Sequence, residues 1–328
     1  MNKKIFFDAN WVGPTGIGRF SSEIINRIPF LNIIPIKGNP LSFIYMIKLS
    51  IFLFFNKGIY FTPGFNVPLF KRKKTIITIH DLNHVDINDN SSVFKRIYYR
   101  LFLKTTCKSC LLIFTVSEFS RKRIIEWSGV DSEKVVVIGN GVSKEFSERE
   151  VRNSEIIKDK YILMVSNRKT HKNEIRALTA FSQAGIDDNI KLFITGDENS
   201  EVKENIIKLG IQSKVRFLGY TEDSDLARYY RESLALLFPS LYEGFGLPVI
   251  EAMTSAVPVI TSKTTSLGEI AGDAALLVDP LEIDEIKEAI VNVITDDELR
   301  QRLIASGLIR ARLYNWDDVA KRIINSIS

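Results

Sequence analysis

Two glutamates separated by seven residues bracket a glycine-containing stretch, Glu243-Gly244-Phe245-Gly246-Leu247-Pro248-Val249-Ile250-Glu251. The apolar run LALLFPS before it reads as a buried strand, and the pattern Val249–Ser255 after it reads as a helix. Gly244 and Gly246 permit unusual dihedrals and close backbone approach. Pro248 stands where a first helical residue belongs. The free N–H groups and positive dipole end of that helix face back toward the glycines, a place for a phosphate or a sugar hydroxyl. Carboxylates suit sugar and ribose hydroxyls because they accept hydrogen bonds from vicinal OH groups. The same residues also fit a plain strand–loop–helix connection in which Glu251 only favours the dipole, and physics alone leaves the two readings even.

A second cluster, Ser166-Asn167-Arg168-Lys169-Thr170-His171-Lys172-Asn173, follows the apolar run YILMV. Arg168 and Lys172, two cations at a strand-to-helix turn, can neutralise a diphosphate. Lys169 and His171 read as a solvated face. In the first half, Gly13-Pro14-Thr15-Gly16-Ile17-Gly18-Arg19-Phe20 opens a helix after the first strand. It nearly matches a dinucleotide fingerprint, but Ser21 stands where the third glycine belongs and no acidic residue closes a clear second strand, which disfavours a dehydrogenase. A tight turn is the plain alternative for Gly16 and Gly18. His80-Asp81 ends the strand TIITI, at the sheet edge where ligands of parallel sheets collect. Asp223-Ser224-Asp225 has a metal-binding form, but the helix LARYYRES after it makes capping the better reading, and no metal site is expected.

These residues need a scaffold of alternating strands and helices. Lys4–Ala9, Thr75–Ile79, Leu111–Val116 and Lys134–Ile138 read as strands of a first unit, with helices at Val93–Lys108 and Ser117–Trp127. In the latter, Ser117 is the N-cap and Ser120, Arg121 and Lys122 are expected outside. Tyr161–Val165, Lys191–Thr195, Val215–Leu218, Leu234–Phe238, Pro258–Ile260 and Ala275–Val278 read as strands of a second unit, and Asp284–Ile327 as helical. Such alternation implies α/β domains with parallel sheets covered on both faces. The polar stretch Glu145–Lys160 marks a boundary, giving domains 1–150 and 151–328, with the last helix free to pack back on the first. The 328 residues suffice for two cores.

Charge is uneven. Residues 1–150 carry 22 Lys+Arg against 12 Asp+Glu, whereas 151–328 carry 22 against 27. The basic half suits anionic lipid or a phosphate-bearing substrate. Nucleic acid would fit the charge equally, but no nucleic-acid motif is visible. Cys107 and Cys110 form one C-x-x-C without a second pair, and read as ordinary thiols. No signal peptide is visible, so a cytoplasmic protein is expected. The apolar stretch Leu41–Phe55, interrupted by Lys48, is too short to span a bilayer. It reads as a buried helix or as one lying in a membrane interface.

The stretch Tyr242–Pro280, with its two spaced glutamates, resembles the family-4 glycosyltransferases of the GT-B fold. The likeness extends to the glycine-rich start, His80-Asp81, the linker VIGNGVSKEF and the closing YNWDDVAKRI; Ile28–Phe70 is the most variable part. It implies two facing Rossmann-like doubly wound domains with an interdomain cleft, the first toward the acceptor and the second binding a nucleotide sugar. It implies a retaining transferase that moves a sugar from a nucleoside-diphosphate sugar to a glycan or lipid-linked acceptor, in bacterial surface polysaccharide (O-antigen or capsule) assembly, without a fixed metal or other cofactor. Peripheral attachment to the inner face of the membrane would accompany a lipid-linked acceptor. Carried over residue by residue, Glu251 holds the donor ribose, and Glu243 lies near the transferred sugar and its phosphate. The amides of Phe245, Gly246 and Leu247 hold hydroxyls and phosphate, Arg168 and Lys172 stabilise the leaving group, His80 contacts the sugar, and Gly16 and Gly18 line the cleft. Asn167 stands where many members place the arginine. The rivals are a nucleotide-sugar epimerase or hydrolase on the same fold, and a catalytically silent, membrane-associated assembly partner.

Overall fold

The computed structural model describes residues 4–70, 72–87, 102–147 and 159–327. The chain divides into two compact units, Met1–Gly141 with Asn315–Ser328, and Val142–Tyr314.

The first unit is built on a parallel sheet of β1 (Ile5–Phe7), β2 (Leu31–Ile33), β3 (Ile59–Thr62), β4 (Thr75–Thr78), β5 (Leu112–Thr115) and β6 (Val135–Val137), in the order β2-β1-β3-β4-β5-β6. Successive strand residues point to opposite faces. Ile5, Phe7, Ile59, Phe61, Ile76 and Phe114 therefore share one face, covered by helices Gly16–Arg27 and Trp316–Ile327. Phe6 and Tyr60 face the other way onto Tyr45, Leu49 and Leu53 of helix Phe43–Phe55. Ile77 and Ile113 meet Cys107 and Ile124 from helices Lys104–Ser109 and Glu118–Ser128. Both faces are apolar, as buried parallel strands require.

The second unit repeats the plan with β7 (Lys160–Met164), β8 (Ile190–Ile194), β9 (Val215–Phe217), β10 (Ala235–Phe238), β11 (Val259–Ser262) and β12 (Leu276–Val278), in the order β12-β11-β10-β7-β8-β9. Ile162, Met164, Leu192, Ile194, Leu237 and Ile260 pack with helices Glu174–Gln183, Ser200–Lys208 and Ile283–Thr295. On the opposite face Tyr161 stacks on Phe193 at 4.1 Å between ring centres and donates through its hydroxyl to the Tyr229 carbonyl.

Several expectations need correction. The first unit closes at Gly141 rather than at residue 150: Phe146 is already buried in the second unit, edge-on to Tyr230, and Ser255 Oγ donates to its carbonyl. The final helix does pack back on the first unit, as the sequence reading allows, because Trp316, Val319, Ala320 and Ile323 sit in its core. Strands β2 and β3 are additional to those expected. Of the expected helix Val93–Lys108, residues 93–101 lie outside the described residues. Ser117 is the N-cap expected, accepting from the Ser120 amide, but Ser120 is buried and donates through Oγ to the His80 carbonyl. Cys107 and Cys110 are free and buried. Burial raises both thiol pKa values, that of Cys110 to about 12, which leaves them unreactive.

Candidate active site

In an open parallel sheet, ligands gather beyond the carboxyl ends of the strands, where the strand order reverses. In the second unit β7 leads one way to β8 and β9, while β10 leads the other way to β11 and β12, so the reversal lies between β7 and β10. The loop after β7 carries Lys172 and the loop after β10 carries Glu243. The two meet there: Lys172 Nζ donates to Glu243 Oε1 at 2.6 Å. The ammonium also sits 4.7 Å from the centre of the Phe238 ring, at the end of β10. Both side chains keep a little solvent access, 13% for Lys172 and 16% for Glu243.

The loops are held by their own polar groups. Asn173 takes a left-handed conformation and ends the turn Thr170–Lys172; its amide nitrogen donates to the carbonyls of Pro239 and Pro280, at 3.0 and 2.6 Å. One side chain thus ties together the loops after β7, β10 and β12. The Leu241 amide donates to the His171 carbonyl at 2.7 Å, Ser262 Oγ to the Ser240 carbonyl and Ser266 Oγ to the Glu243 carbonyl. His171 is buried rather than part of a solvated face, because its turn is pressed against the Leu241 segment.

Gly246 is the N-cap of helix Leu247–Thr254 with φ +99°, a conformation that favours glycine, and Pro248 lies in the first turn. The amides of Phe245, Gly246 and Leu247 have no hydrogen-bond partner among the described residues. Three donors therefore stand at the positive end of a helix dipole, beside a cation. Phe245 itself is buried edge-on to Tyr314. Glu251 lies one turn along the helix, buried, and Oε2 accepts from the Tyr230 hydroxyl at 3.1 Å.

Arg168 and Lys172 do not share a partner. Arg168 adopts a left-handed backbone, donates to Glu174 Oε1 at 2.6 Å and to the Thr195 carbonyl, and lies over Phe217. Its Nε is buried without a hydrogen-bond partner among the described residues. Ser166 Oγ also donates to Glu174. Asp223 and Asp225 lie in the first turn of helix Asp223–Glu232, where they complement the dipole; the N-cap itself is Glu222, and its side chain makes no cap bond. Among the described residues no group of three or more His, Cys, Asp or Glu is placed to hold a metal.

The remaining candidates belong to the first unit. Gly16 is exposed at the start of helix Gly16–Arg27, whereas Gly18 is buried: a Cβ there would lie 2.2 Å from the Gly13 carbonyl oxygen, so packing alone demands glycine. His80 follows β4; its Nε2 bonds the Pro63 carbonyl at 2.9 Å and its ring is edge-on to Phe20. Desolvation lowers its pKa, against the opposing effects of the Pro63 bond and the Asp81 charge. The imidazole is thus neutral at pH 7, and a carbonyl partner requires the proton on Nε2, which leaves Nδ1 an acceptor.

The first sheet reverses between β1 and β3, and there the sequence reading missed a cluster. Asp8, fully buried after β1, accepts at Oδ1 from the Tyr45 hydroxyl (2.8 Å) and from the Asn10 backbone and side-chain nitrogens (3.2 and 2.9 Å). Its Oδ2 accepts from the Tyr60 hydroxyl (2.8 Å) and Asn66 Nδ2 (2.9 Å). Trp11 Nε1 in turn donates to Asn66 Oδ1 at 2.7 Å. Burial, and then the Asp8 charge, raise both tyrosine pKa values, so both hydroxyls stay protonated donors. An aspartate closing an apolar parallel strand was the available signal.

Family models agree with this architecture. That of the glycosyl transferases group 1 matches residues 134–309, and that of glycosyltransferase family 4 matches residues 56–146. The O-antigen chain mannosyltransferase RfbU of Salmonella typhimurium is 31% identical over 285 residues, covering 86% of this chain and 76% of the relative. The O-antigen chain mannosyltransferase B of Escherichia coli is 29% identical over 280 residues, covering 82% and 73%. Among solved structures, HepE of Anabaena in complex with UDP and glucose superposes with a TM-score of 0.76 at 16% identity, over 99% of each chain.

Proposed function

Because the chain belongs to the group 1, family-4 glycosyltransferases of the GT-B fold, we propose that it transfers a sugar from a nucleoside-diphosphate donor to a glycan or lipid-linked acceptor in surface polysaccharide assembly. The observation that carries the reading is the Lys172–Glu243 pair beside three open amides at a helix N-terminus. As the bond from the anomeric carbon to the diphosphate breaks, negative charge grows on the leaving oxygen. A cation and oriented amides stabilise that charge more than the ground state, and so lower the barrier.

Lys172 would exchange Glu243 for the diphosphate, or bridge both. Glu243 would then be free to accept from a hydroxyl of the transferred sugar. Glu251, kept in place by Tyr230, would accept from the donor ribose. Arg168 is the second candidate for the diphosphate, through the Nε that the fold leaves unused. His80, neutral and with Nδ1 as an acceptor, suits a sugar hydroxyl better than an anion. The family pattern supports retention of anomeric configuration, with no metal or other cofactor. The named relatives are O-antigen chain mannosyltransferases, so mannose is the first sugar to test.

The test has two steps. Thermal shift over a panel of nucleoside-diphosphate sugars identifies the donor, since a ligand that binds the native state raises Tm by mass action. Transfer from that donor to a lipid-linked oligosaccharide acceptor is then followed by mass spectrometry, and the new linkage by NMR. The expected product is acceptor plus one sugar with retained configuration. Donor breakdown or epimerisation without acceptor, and no product with any acceptor, would overturn the reading.

A further inference from the structure

Helix Phe43–Phe55 leaves Phe43, Ile44, Ile47, Ile51, Phe54 and Phe55 exposed, with Ile44 at 67%, Phe54 at 62% and Phe55 at 77%. On a helical projection these positions and Lys48 fall within about 140°, while Tyr45, Met46, Leu49, Ser50 and Leu53 fill the opposite arc and are buried. The face cannot roll inward: the Tyr45 hydroxyl is held by Asp8 at 2.8 Å. Ser50 Oγ accepts from the Leu69 amide at 2.9 Å, which places the segment leading to the basic turn Arg72–Lys74 against the helix. Leu69 and Phe70, with Arg72, Lys73, Lys74 and Ser109, line an open depression of about 580 Å³. None of these three cations is in an ion pair among the described residues.

We propose that this helix face and the adjoining basic turn form a docking surface for an anionic phospholipid bilayer. The apolar stripe enters the headgroup boundary, and Arg72, Lys73 and Lys74 meet lipid phosphates. Thirteen helical residues span only about 20 Å, too short to cross the hydrocarbon but suited to lying along its surface. No helix among the described residues is long and apolar enough to cross a membrane. Lys48, at the border of the stripe, can lay its stem on the apolar surface and keep its ammonium at headgroup level. A second copy of the chain is the poorer occupant. A two-fold contact would bring the same patch from both copies together, and with it the two basic turns. The inference does not rest on the transfer reaction.

Co-sedimentation tests it, using vesicles of phosphatidylcholine alone and vesicles with about 30% phosphatidylglycerol, in about 0.05 M and about 0.5 M NaCl. Binding is expected to the anionic vesicles and to weaken at high salt. Each basic residue removed should weaken it by about fivefold. Phe54→Ser with Phe55→Ser, and separately Lys73→Gln with Lys74→Gln, should each lower affinity at least about tenfold, with circular dichroism unchanged. Lys172→Ala should bind vesicles as the wild type does, which separates failure here from failure of the donor site. Equal binding to both vesicle types, no binding at low salt, or intact binding by either double variant overturns the proposal. So does a dimer, seen by analytical ultracentrifugation, that Phe54→Ser with Phe55→Ser dissolves.

Discussion

Both sheets reverse their strand order once, and the two reversals are filled in opposite ways. Between β1 and β3 the position is closed by Asp8, whose five hydrogen bonds all come from neutral donors. Between β7 and β10 it holds an ammonium against a carboxylate, next to three amides without partners among the described residues. A carboxylate saturated by tyrosines and asparagines has no valence left for a ligand, and its neighbours are fixed around it. A lysine–glutamate pair with some solvent access can give up its partner to a stronger anion. On the proposed reading, the same topological position serves rigidity in one unit and exchange in the other.

Changes at the two positions should fail differently. Lys172→Ala should lower kcat by about 10²–10³-fold while circular dichroism and urea midpoint stay near wild type, the size seen when one transition-state donor is removed. Steady-state kinetics on the identified donor measure it, and a near-normal kcat would make the second reversal as structural as the first. Asp8→Asn should do the converse. It turns an acceptor into a donor among donors, and should cost about 2–3 kcal/mol in urea unfolding with little change in donor KM. Lost turnover without lost stability would move Asp8 into the chemistry. Glu251→Gln keeps its shape and an acceptor for Tyr230, so donor KM should rise by about three- to tenfold with kcat nearly kept. An unchanged KM would leave Glu251 a helix residue that only orders Tyr230. The smallest effect is expected from EDTA, which should leave turnover unaltered if, as proposed, lysine and amides take the leaving charge. Loss of activity restored by Mg²⁺ would overturn that and return attention to Asp223 and Asp225.

Most strands were legible because parallel strands covered on both faces are apolar throughout and stand out as runs such as TIITI and YILMV. The two that were missed lack that contrast. β2 is a three-residue edge strand with Asn32 in its centre and little burial. β3 is fully buried but short, and only Asn56-Lys57-Gly58 separates it from the apolar helix Phe43–Phe55, so the two read as one apolar region. The polar stretch after Glu145 reads as a linker and draws the boundary late, whereas the change of core occurs at Gly141, in the turn residues Gly139-Asn140-Gly141 that close the strand before it.

Within the second unit, the glycine loop and helix start could be read locally from proline and glycine positions. That Lys172 touches Glu243 could not, since 71 residues separate them and only the sheet order brings their loops together. Asp8 is a stronger case: its partners Tyr45 and Tyr60 lie 37 and 52 residues away and each reads as an ordinary aromatic core residue. Helix and turn patterns alone place Ser120 and His171 outward, because they cannot register a loop pressed on them from another strand.

The placement of helix Trp316–Ile327 in the first unit sets an order of assembly. The amino-terminal unit is the first to leave the ribosome, yet Trp316, Val319, Ala320 and Ile323, which complete one face of its sheet, are translated after the whole second unit. Until then Phe7, Phe20 and Phe61 lack that cover, while Val142–Tyr314 already holds all of its own strands. Domains usually fold in the order of their synthesis. In this chain the carboxyl-terminal unit can finish first, and the amino-terminal unit, with an unfilled sheet face, is the one most in need of protection from aggregation during translation.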